Sequence, residues 1–540
     1  MNTDRSVAIV GGGPCGLMMA LLLARTGIRC VVFEKRSGIS THPKAMGVSR
    51  RIAELFKQLG LLEPIRNGSL AGEGRFLSIW SKSLVGEELG RVPFAHVPGE
   101  FTPCTGLHGP QTVTEKVLLD AVTAESLAEV RFDCEVLNIQ PHEDCVRLSL
   151  PGNQTVDVPW VVAADGAGSA IRHSLDVDTD GPGDMGHFLN VMFRANYGTH
   201  LRERPAILYQ TLSSEYCEFF VAVNADDLWL MHHFLQPGEE PKDFPSDRLQ
   251  TMIRAASGLP AEPVEVLSVV PWVMSPKVAR RYRIDRTFLV GDAAARLSPA
   301  GGMGLNTGLQ SAHNLAWKLA CVINGQAGDS LLDTYQEERR DAALRTMENT
   351  NRNADEIFSV VASAMENNWD KVRDLIAQSR RRGAGLGQDL GLAYSRGALL
   401  PDGSEPMPVD HPINDYKPSA RPGSRAPHLW IERHGRKIST LDLFGMQFVL
   451  LTGKDCSPPE LEKSASAAGA CPIVFLQNGR DFAADGFEEL YGISSAGAVL
   501  VRPDGYVGAR WTELSPNFTE QFQSAFASIL RNTLSEKMMA

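Results

Sequence analysis

The first pattern that could bind a cofactor is a glycine turn between a predicted strand and a predicted helix. Residues Gly11 to Gly16 read G-G-G-P-C-G; they follow the apolar run Val7 to Val10 and precede the helical run Leu17 to Arg25. Glu34 closes the next predicted strand, Ile28 to Phe33. Such glycines let the backbone approach a pyrophosphate at a helix N-terminus, while the acid accepts hydrogen bonds from ribose hydroxyls. The pattern predicts a dinucleotide site, with a plain tight turn as the alternative, and does not distinguish NAD from FAD.

Two further motifs follow downstream strands. The predicted strand Arg286 to Val290 runs into Gly291-Asp292-Ala293-Ala294, and Pro299 to Asn306 reads P-A-G-G-M-G-L-N. Between the first and last motifs, Asp165 opens D-G-A-G-S-A-I-R after the apolar strand Trp160 to Ala164. Alone, Asp-Gly after a strand usually indicates a turn. All three motifs in this order and at this spacing are far more specific than any one of them alone.

Together these motifs resemble the p-hydroxybenzoate hydroxylase superfamily, the group A flavoprotein aromatic hydroxylases. The resemblance is most detailed from Gly291 to Leu319. In overall organisation the chain looks closest to phenol and 2,4-dichlorophenol 6-monooxygenase-like enzymes and to tailoring hydroxylases of polyketide pathways. The resemblance implies non-covalent FAD, with Asp292 on the ribityl chain and the Gly302 to Asn306 backbone against the flavin ring. A helix N-terminus there stabilises negative charge on a reduced flavin.

Other matches to this superfamily are less specific. Lys44 lies where members of the superfamily usually carry an Arg near the pyrophosphate. A lysine keeps the positive charge but cannot form the bidentate hydrogen bonds of a guanidinium. Gln111 matches a residue near the ribityl chain, whereas Ala295 and Ser311 replace residues that are often His and Asp. The predicted cofactor-binding residues are Gly11, Gly13, Pro14, Cys15, Gly16, Glu34, Lys35, Lys44, Gln111, Asp165, Asp292, Pro299, Gly302, Gly304, Leu305 and Asn306.

The resemblance also implies the reaction. Reduced FAD reacts with O2 to a C4a-hydroperoxide, whose distal oxygen attacks an electron-rich aromatic ring, most simply a phenol. A base near the phenolic hydroxyl would help. The candidates for contact with the substrate are Tyr209, Tyr216, His232 and His233. Because adjacent residues of a strand point to opposite faces, at most one of the two histidines faces the ligand.

A separate nicotinamide site is not predicted. The glycines of Gly383 to Gly387 follow arginines instead of a strand, so they do not form a second dinucleotide motif. NADPH or NADH must then dock transiently near the flavin, which is also what the resemblance implies.

Composition narrows the class of partner. The 540 residues carry a formal net charge of -11, which argues against nucleic acid or an anionic membrane as partner. No apolar run is long enough for a membrane span and the N-terminus lacks signal-peptide character, so we expect a cytoplasmic protein. Nine cysteines without a C-x-x-C pair predict reduced packing residues and no metal site.

The expected fold is α/β, with a Rossmann-like FAD-binding domain, an antiparallel-sheet substrate domain and a C-terminal thioredoxin-like domain. The FAD-binding domain is assigned to 1–180 and 281–400, the substrate domain to 181–280, a surface linker to 401–427 and the last domain to 428–540. That last domain resembles one appended to many phenol hydroxylases. Its Cys456-Ser457-Pro458-Pro459 lacks a resolving cysteine, so packing or a homodimer contact is the simplest role.

Other functions stay open at this point. A flavin-dependent halogenase would show a W-x-W-x-I-P segment, which the chain lacks. Baeyer–Villiger oxidation, epoxidation, flavin reduction without oxygen insertion, and non-catalytic ligand sequestration would all fit the same FAD residues.

Overall fold

The computed structural model describes residues 6–70, 75–94, 100–380, 385–456 and 471–531. Its strands, in chain order, are β1 Ser6–Val10, β2 Arg29–Phe33, β3 Gly47–Val48, β4 Leu77–Ser81, β5 Glu88–Pro93, β6 Leu107–His108, β7 Ala128–Arg131, β8 Asn138–Pro141, β9 Val146–Leu150, β10 Gln154–Val158, β11 Trp160–Ala163, β12 Thr179–Asp180, β13 Gly186–Arg194, β14 Leu208–Leu212, β15 Cys217–Ala222, β16 Leu228–Phe234, β17 Glu265–Met274, β18 Lys277–Ala279, β19 Arg283–Ile284, β20 Thr287–Leu289, β21 Ala295–Arg296, β22 Trp430–Arg433, β23 Arg436–Ser439, β24 Phe448–Thr452, β25 Ile473–Gln477, β26 Ala498–Val501 and β27 Val507–Trp511.

The helices, in chain order, are α1 Pro14–Arg25, α2 Arg50–Gln58, α3 Leu62–Asn67, α4 Gln111–Thr123, α5 Ala170–Ser174, α6 Tyr197–His200, α7 Ser246–Ser257, α8 Met303–Ile323, α9 Asp333–Met365, α10 Trp369–Arg380, α11 Leu386–Leu390, α12 Phe487–Tyr491 and α13 Phe518–Ile529. None of these helices is both long and apolar enough to cross a membrane.

A six-stranded sheet forms the first layer, in the order β19-β20-β11-β1-β2-β7. All of its pairs are parallel except β19 with β20, and α1 makes the crossover from β1 to β2. The predicted βαβ unit is therefore confirmed. Since the carboxyl ends of parallel strands meet at one edge, the turns after β1, β2, β11 and β20 lie together, which is where ligands bind in such sheets.

A seven-stranded sheet forms the second layer, in the order β17-β13-β16-β15-β14-β4-β5. The hairpin β4–β5 belongs to this sheet although its residues lie within the 1–180 stretch assigned to the FAD-binding domain. The physical reason is that β4 pairs in parallel with the otherwise open edge of β14. Local alternation of apolar residues cannot show which sheet a hairpin joins.

Two long helices follow, α8 and α9, in a region where the helical period of the sequence predicts helix from Ala312 to about Val361. Helix α8 has 21 residues and α9 has 33. Gly325, with φ +69°, lies beyond the end of α8, in the left-handed region that favours glycine, and a 3-10 turn leads into α9.

The C-terminal unit contains a four-stranded sheet in the order β25-β24-β26-β27, flanked by α12 and α13. The sequence predicts strands at Phe448 to Leu451 and Ile473 to Gln477, a helix at Phe487 to Tyr491 and a hairpin from Ala498 to Trp511, and all of these are present. It also predicts a helix at Pro459 to Ala468, which lies outside the described residues. The stretch expected as a surface linker is partly buried: Arg425 is 2% exposed and pairs with Glu54 of α2. Because Glu54 and Arg425 are far apart in the sequence, no local sequence pattern could predict their ion pair.

Candidate active site

One cavity of about 1580 Å³ joins the two large sheets. The carboxyl edge of the six-stranded sheet, the N-terminus of α8 and one face of the seven-stranded sheet all contribute to its lining. Sites for one drug-sized ligand occupy about 300–1000 Å³. The larger volume accommodates a dinucleotide and a second ligand together.

The glycine turn has the geometry of a pyrophosphate site. A Cβ on Gly11 would overlap with the Ala164 carbonyl, and one on Gly16 with the Gly11 carbonyl, so both positions require glycine. A Cβ on Gly13, by contrast, would meet no protein atom within 4 Å. The N-terminus of α1 is therefore open toward the cavity and can take a phosphate.

Glu34 lies beside this turn, almost fully buried. Its carboxylate accepts hydrogen bonds from the Gly12 N–H at 2.6 Å and from the Arg36 side chain at 2.9 and 3.2 Å. Burial acts to raise the pKa of Glu34, but the hydrogen bonds from Arg36 and Gly12 outweigh it and hold the pKa below its ordinary value. The group is ionised, so both of its oxygens are acceptors and can receive hydrogen bonds from ribose hydroxyls. Its neighbour Lys35 also lines the cavity.

The N-terminus of α8 faces the same cavity. Gly302 adopts a left-handed conformation with φ +66° as the residue before the helix, and a Cβ on Gly304 would meet open space. The Asn306 side chain accepts from the Ser49 N–H at 2.8 Å and donates to the Gly302 carbonyl at 2.7 Å. Asn306 thus ties the loop before α2 to the start of α8, a role that its position in the motif did not reveal.

The remaining predicted cofactor residues, Pro14, Cys15, Lys44, Gln111, Asp165, Asp292, Pro299 and Leu305, also line this cavity. Desolvation raises the pKa of Asp292, while the charges of Lys44 and Arg296 lower it in part. One carboxylate oxygen of Asp165, Oδ1, is buried without a hydrogen-bond partner in the described part of the chain. Such an oxygen is satisfied by a donor on a bound ligand.

Sequence reasoning missed an ion pair in the cavity wall. The Arg50 guanidinium lies 2.6 Å from the Asp389 carboxylate, and both residues line the cavity. Burial raises the pKa of Asp389, and the Arg50 charge opposes that shift. These residues are 339 positions apart, so no spacing rule could have found them.

Of the four candidate substrate contacts, only His232 lines the cavity. Tyr209 points to the opposite face of the sheet, where its hydroxyl bonds to Ala206 and Arg204. Tyr216 has its hydroxyl near the Lys82 and Ala255 carbonyls, and the His233 Nδ1 lies 2.8 Å from buried Glu218. These three side chains therefore do not reach the cavity. For His233 the reason is strand alternation, which points its side chain to the sheet face opposite that of His232.

Aromatic and aliphatic side chains surround His232 on this sheet face. Phe188 and Trp272 stack with ring centroids 4.5 Å apart, and the His232 ring meets Trp272 edge-on at 6.3 Å. The His232 Nδ1 and the Trp272 Nε1 are buried and have no hydrogen-bond partner among the described residues. Two orphan polar atoms within an apolar wall are the arrangement expected for orienting a ligand that carries a few polar groups.

The fold and this cavity define a dinucleotide-binding protein with an aromatic wall in the same cavity. The FAD binding domain family matches residues 4–350, and the aromatic-ring hydroxylase C-terminal family matches residues 419–532. The chain belongs to the FAD-dependent aromatic-ring hydroxylases.

Individual relatives agree with this assignment. The chain is 32% identical to aklavinone 12-hydroxylase RdmE of Streptomyces purpurascens, covering 97% of this chain and 98% of that one. It is 27% identical to 2,4-dichlorophenol 6-monooxygenase of Delftia acidovorans, with 94% and 96% covered. The crystal structure of the flavin-dependent monooxygenase PieE with FAD and substrate matches with a TM-score of 0.91 and 27% identity over 98% and 99% of the two chains. The resemblance and the fold class inferred from the sequence are confirmed.

FAD is therefore the cofactor, and NAD(P)H is the reductant typical of this family. The residues present fit FAD, because the open turn at Gly13, the ionised Glu34, the orphan oxygen of Asp165 and the open position at Gly304 all lie along one cavity. When bound and reduced, FAD supplies the activation of dioxygen.

Proposed function

We propose that the protein hydroxylates a phenolic ring with NAD(P)H and O2, and that the ring binds between the start of α8 and His232. The observation that carries this proposal is the orphan Nδ1 of His232 inside an aromatic wall that is continuous with the flavin end of the cavity. The dichlorophenol relative, whose named substrate is a phenol, supports the chemistry.

In this proposal, His232 acts as a hydrogen-bond acceptor. Burial, with a smaller contribution from His42, lowers the pKa of His232 to about 4, so its ring is neutral at pH 7. A phenol has a pKa of about 10, so complete proton transfer to such a ring would be uphill by about 8 kcal/mol. A hydrogen bond from the phenol to His232 needs no complete proton transfer. It orients the phenolic hydroxyl and raises the electron density on the aromatic ring of the substrate.

The wall around His232 sets the fit of the ring. Phe188, Phe219, Val221, Trp272 and Met274 are apolar neighbours in the lining. On the same sheet face, the Gln210 Nε2 donates to the Ser78 Oγ at 2.8 Å, while the Gln210 Oε1 has no partner within the described residues. A second polar substituent on the substrate can bond there.

Substrate-stimulated oxidation of NADH and NADPH, measured over a panel of one-ring and fused-ring phenols, tests the proposal. For a phenol that stimulates turnover, His232→Leu lowers kcat/KM by about tenfold to a hundredfold, equivalent to one lost hydrogen bond of about 1–3 kcal/mol. His232→Gln keeps an acceptor and retains part of the activity. Tyr216→Phe is the matched control and leaves kcat/KM unchanged.

Two results would contradict it. If no phenol stimulates NAD(P)H oxidation by the FAD-loaded protein, the substrate class is wrong and ligand sequestration becomes the better account. If His232→Leu retains full kcat/KM, the phenol does not bind to His232.

A further inference from the structure

Two cysteines from distant parts of the chain meet where the C-terminal sheet packs on α8. Cys321 lies in the last turn of α8 and Cys471 lies just before β25, and their Sγ atoms are 4.0 Å apart. They belong to the apolar cluster that contains Trp317 and Phe448, and they are 6% and 7% exposed. Because the two cysteines are 150 positions apart, they form no C-x-x-C pattern in the sequence.

The distance places the sulfurs in van der Waals contact. A disulfide has an S–S distance of about 2.05 Å, so the two sulfurs must approach each other by about 2 Å to form one. Cys456 belongs to the same apolar cluster, but its thiol donates to the Gly497 carbonyl instead. Cys321 and Cys471 are therefore the two cysteines whose sulfurs the packing brings into contact.

The two thiols are not equivalent. The hydrogen bond between them lowers the pKa of Cys471 and raises the pKa of Cys321, and burial raises the latter further. The last turn of α8 also presents carbonyl oxygens, which disfavour a thiolate on Cys321. The carbonyl oxygens at this end of α8 thus favour Cys471 over Cys321 as the nucleophile of the pair.

We propose that Cys321 and Cys471 form a peroxide-responsive interdomain disulfide. The Cys471 thiolate attacks a hydroperoxide ROOH and cleaves its O–O bond, which gives a sulfenic acid and the alcohol ROH, or water when the oxidant is hydrogen peroxide. The Cys321 sulfur then displaces the sulfenic oxygen as water. In total, the two thiols lose two protons and two electrons, and these reduce the peroxide to ROH and water.

This bond would join the C-terminal unit to the helix that lines the cofactor cavity. Helix α8 begins at Met303 in the cavity wall and carries Cys321 near its other end. A crosslink that closes a loop of 150 residues restricts the unfolded chain strongly. The thioredoxin-like unit thus has a redox role without a redox motif of its own.

The test uses the full-length, FAD-loaded protein and hydrogen peroxide. After oxidation, free thiols are alkylated, the protein is digested without reduction, and the peptides are analysed by mass spectrometry. The expected result is a linked Cys321–Cys471 peptide, an intact mass lower by two hydrogen atoms, and a Tm that rises by several degrees and returns on addition of dithiothreitol.

Variants make the assignment specific. Cys456→Ser and Cys30→Ser are expected to keep the crosslink and the Tm rise, whereas Cys321→Ser and Cys471→Ala each abolish both. Two separate variants are used so that a folding defect in one does not decide the outcome. The proposal is overturned if peroxide leaves both cysteines alkylatable, converts them to sulfinic acids, or links Cys471 to Cys456. None of these readouts depends on catalytic activity, so they are independent of the proposed hydroxylation.

Discussion

His232 and His233 are adjacent in sequence and lie in opposite environments. His232 faces the cavity, whereas His233 binds Glu218 on the other side of the sheet. Strand alternation predicted that at most one of them could face the ligand. Which one does so depends on the pairing of β16 with β13 and β15, and that pairing is not encoded within β16. The glycine motifs, by contrast, were readable because each acts through its own local backbone.

Gly304 offers a test of the flavin end of the cavity. A methyl group at this position meets no protein atom within 4 Å and projects into the cavity that receives FAD. Gly304→Ala is therefore expected to leave the free energy of unfolding unchanged or raised by about 0.5–1 kcal/mol, since Ala is the better helix former. Its affinity for FAD, measured by fluorescence titration of the apoprotein, is expected to fall at least about tenfold, a loss of about 1.4 kcal/mol. Gly38→Ala, also at an open position, is the control; equal FAD affinity in the two variants would refute the placement of α8.

Buried histidines make stability depend on pH. Burial lowers the pKa of His108 and of His313 to about 4, against an ordinary value of 6.5. The unfolded chain therefore binds protons that the folded chain excludes, so stability is full above pH 6.5 and falls as the pH drops toward 4. Each histidine lowers the free energy of unfolding by about 2 kcal/mol between pH 7 and pH 5.

Urea unfolding at pH 7 and pH 5 measures this loss of stability, and His108→Gln is expected to reduce the pH dependence by about 2 kcal/mol. The account of His108 fails if His108→Gln leaves the pH dependence of the unfolding free energy unchanged.

At the scale of elements, α8 and α9 connect the flavin end of the cavity to the C-terminal sheet. Glu338 of α9 accepts from both ends of the Arg502 guanidinium at 2.8 Å and from Lys318 of α8 at 2.9 Å. Asn314 of α8 donates to Glu338 at 2.6 Å and to Asp504 at 3.0 Å. The turn between β26 and β27 is thus held to both helices by buried charge.

Removing the charge of Glu338 tests this connection. Glu338→Gln removes the carboxylate that pairs with buried Lys318 and one of the two that pair with buried Arg502, the other being Asp504. The substitution is expected to lower the free energy of unfolding by about 3–5 kcal/mol. Its sequence neighbour Glu337 forms only a partly exposed pair with Arg531 at 3.6 Å, so Glu337→Gln should cost about 0–1 kcal/mol. Urea denaturation of both variants at pH 7 measures the difference. Similar costs for the two would show that the buried network contributes no more than a surface pair.

The elements themselves were predictable to different degrees. The βαβ unit and the strand and helix at Ile473 to Gln477 and Phe487 to Tyr491 follow from local periodicity and are confirmed. The membership of β4 and β5 in the second sheet was not predictable, nor was the ion pair of Arg50 with Asp389. Both depend on contacts between segments far apart in sequence, which composition and spacing do not encode.

At the scale of the whole molecule, both large sheets and α8 contribute to the lining of the cavity. The parallel sheet presents the dinucleotide turn, α8 presents its N-terminus, and the seven-stranded sheet presents the aromatic wall. Burial of Arg425 against Glu54 shows that the stretch before the C-terminal unit packs on the cofactor-binding part instead of acting as a free tether. The homodimer and the cytoplasmic location expected from the sequence stay predictions.

The central claim is the insertion of one oxygen atom from O2 into a phenolic ring. The measurement is mass spectrometry of the product formed by the FAD-loaded protein, NADPH or NADH, and a stimulating phenol under 18O2. One 18O atom in a hydroxylated product is the predicted result. NAD(P)H oxidation that produces only hydrogen peroxide with every phenol, or a product whose new oxygen comes from water, would contradict the account.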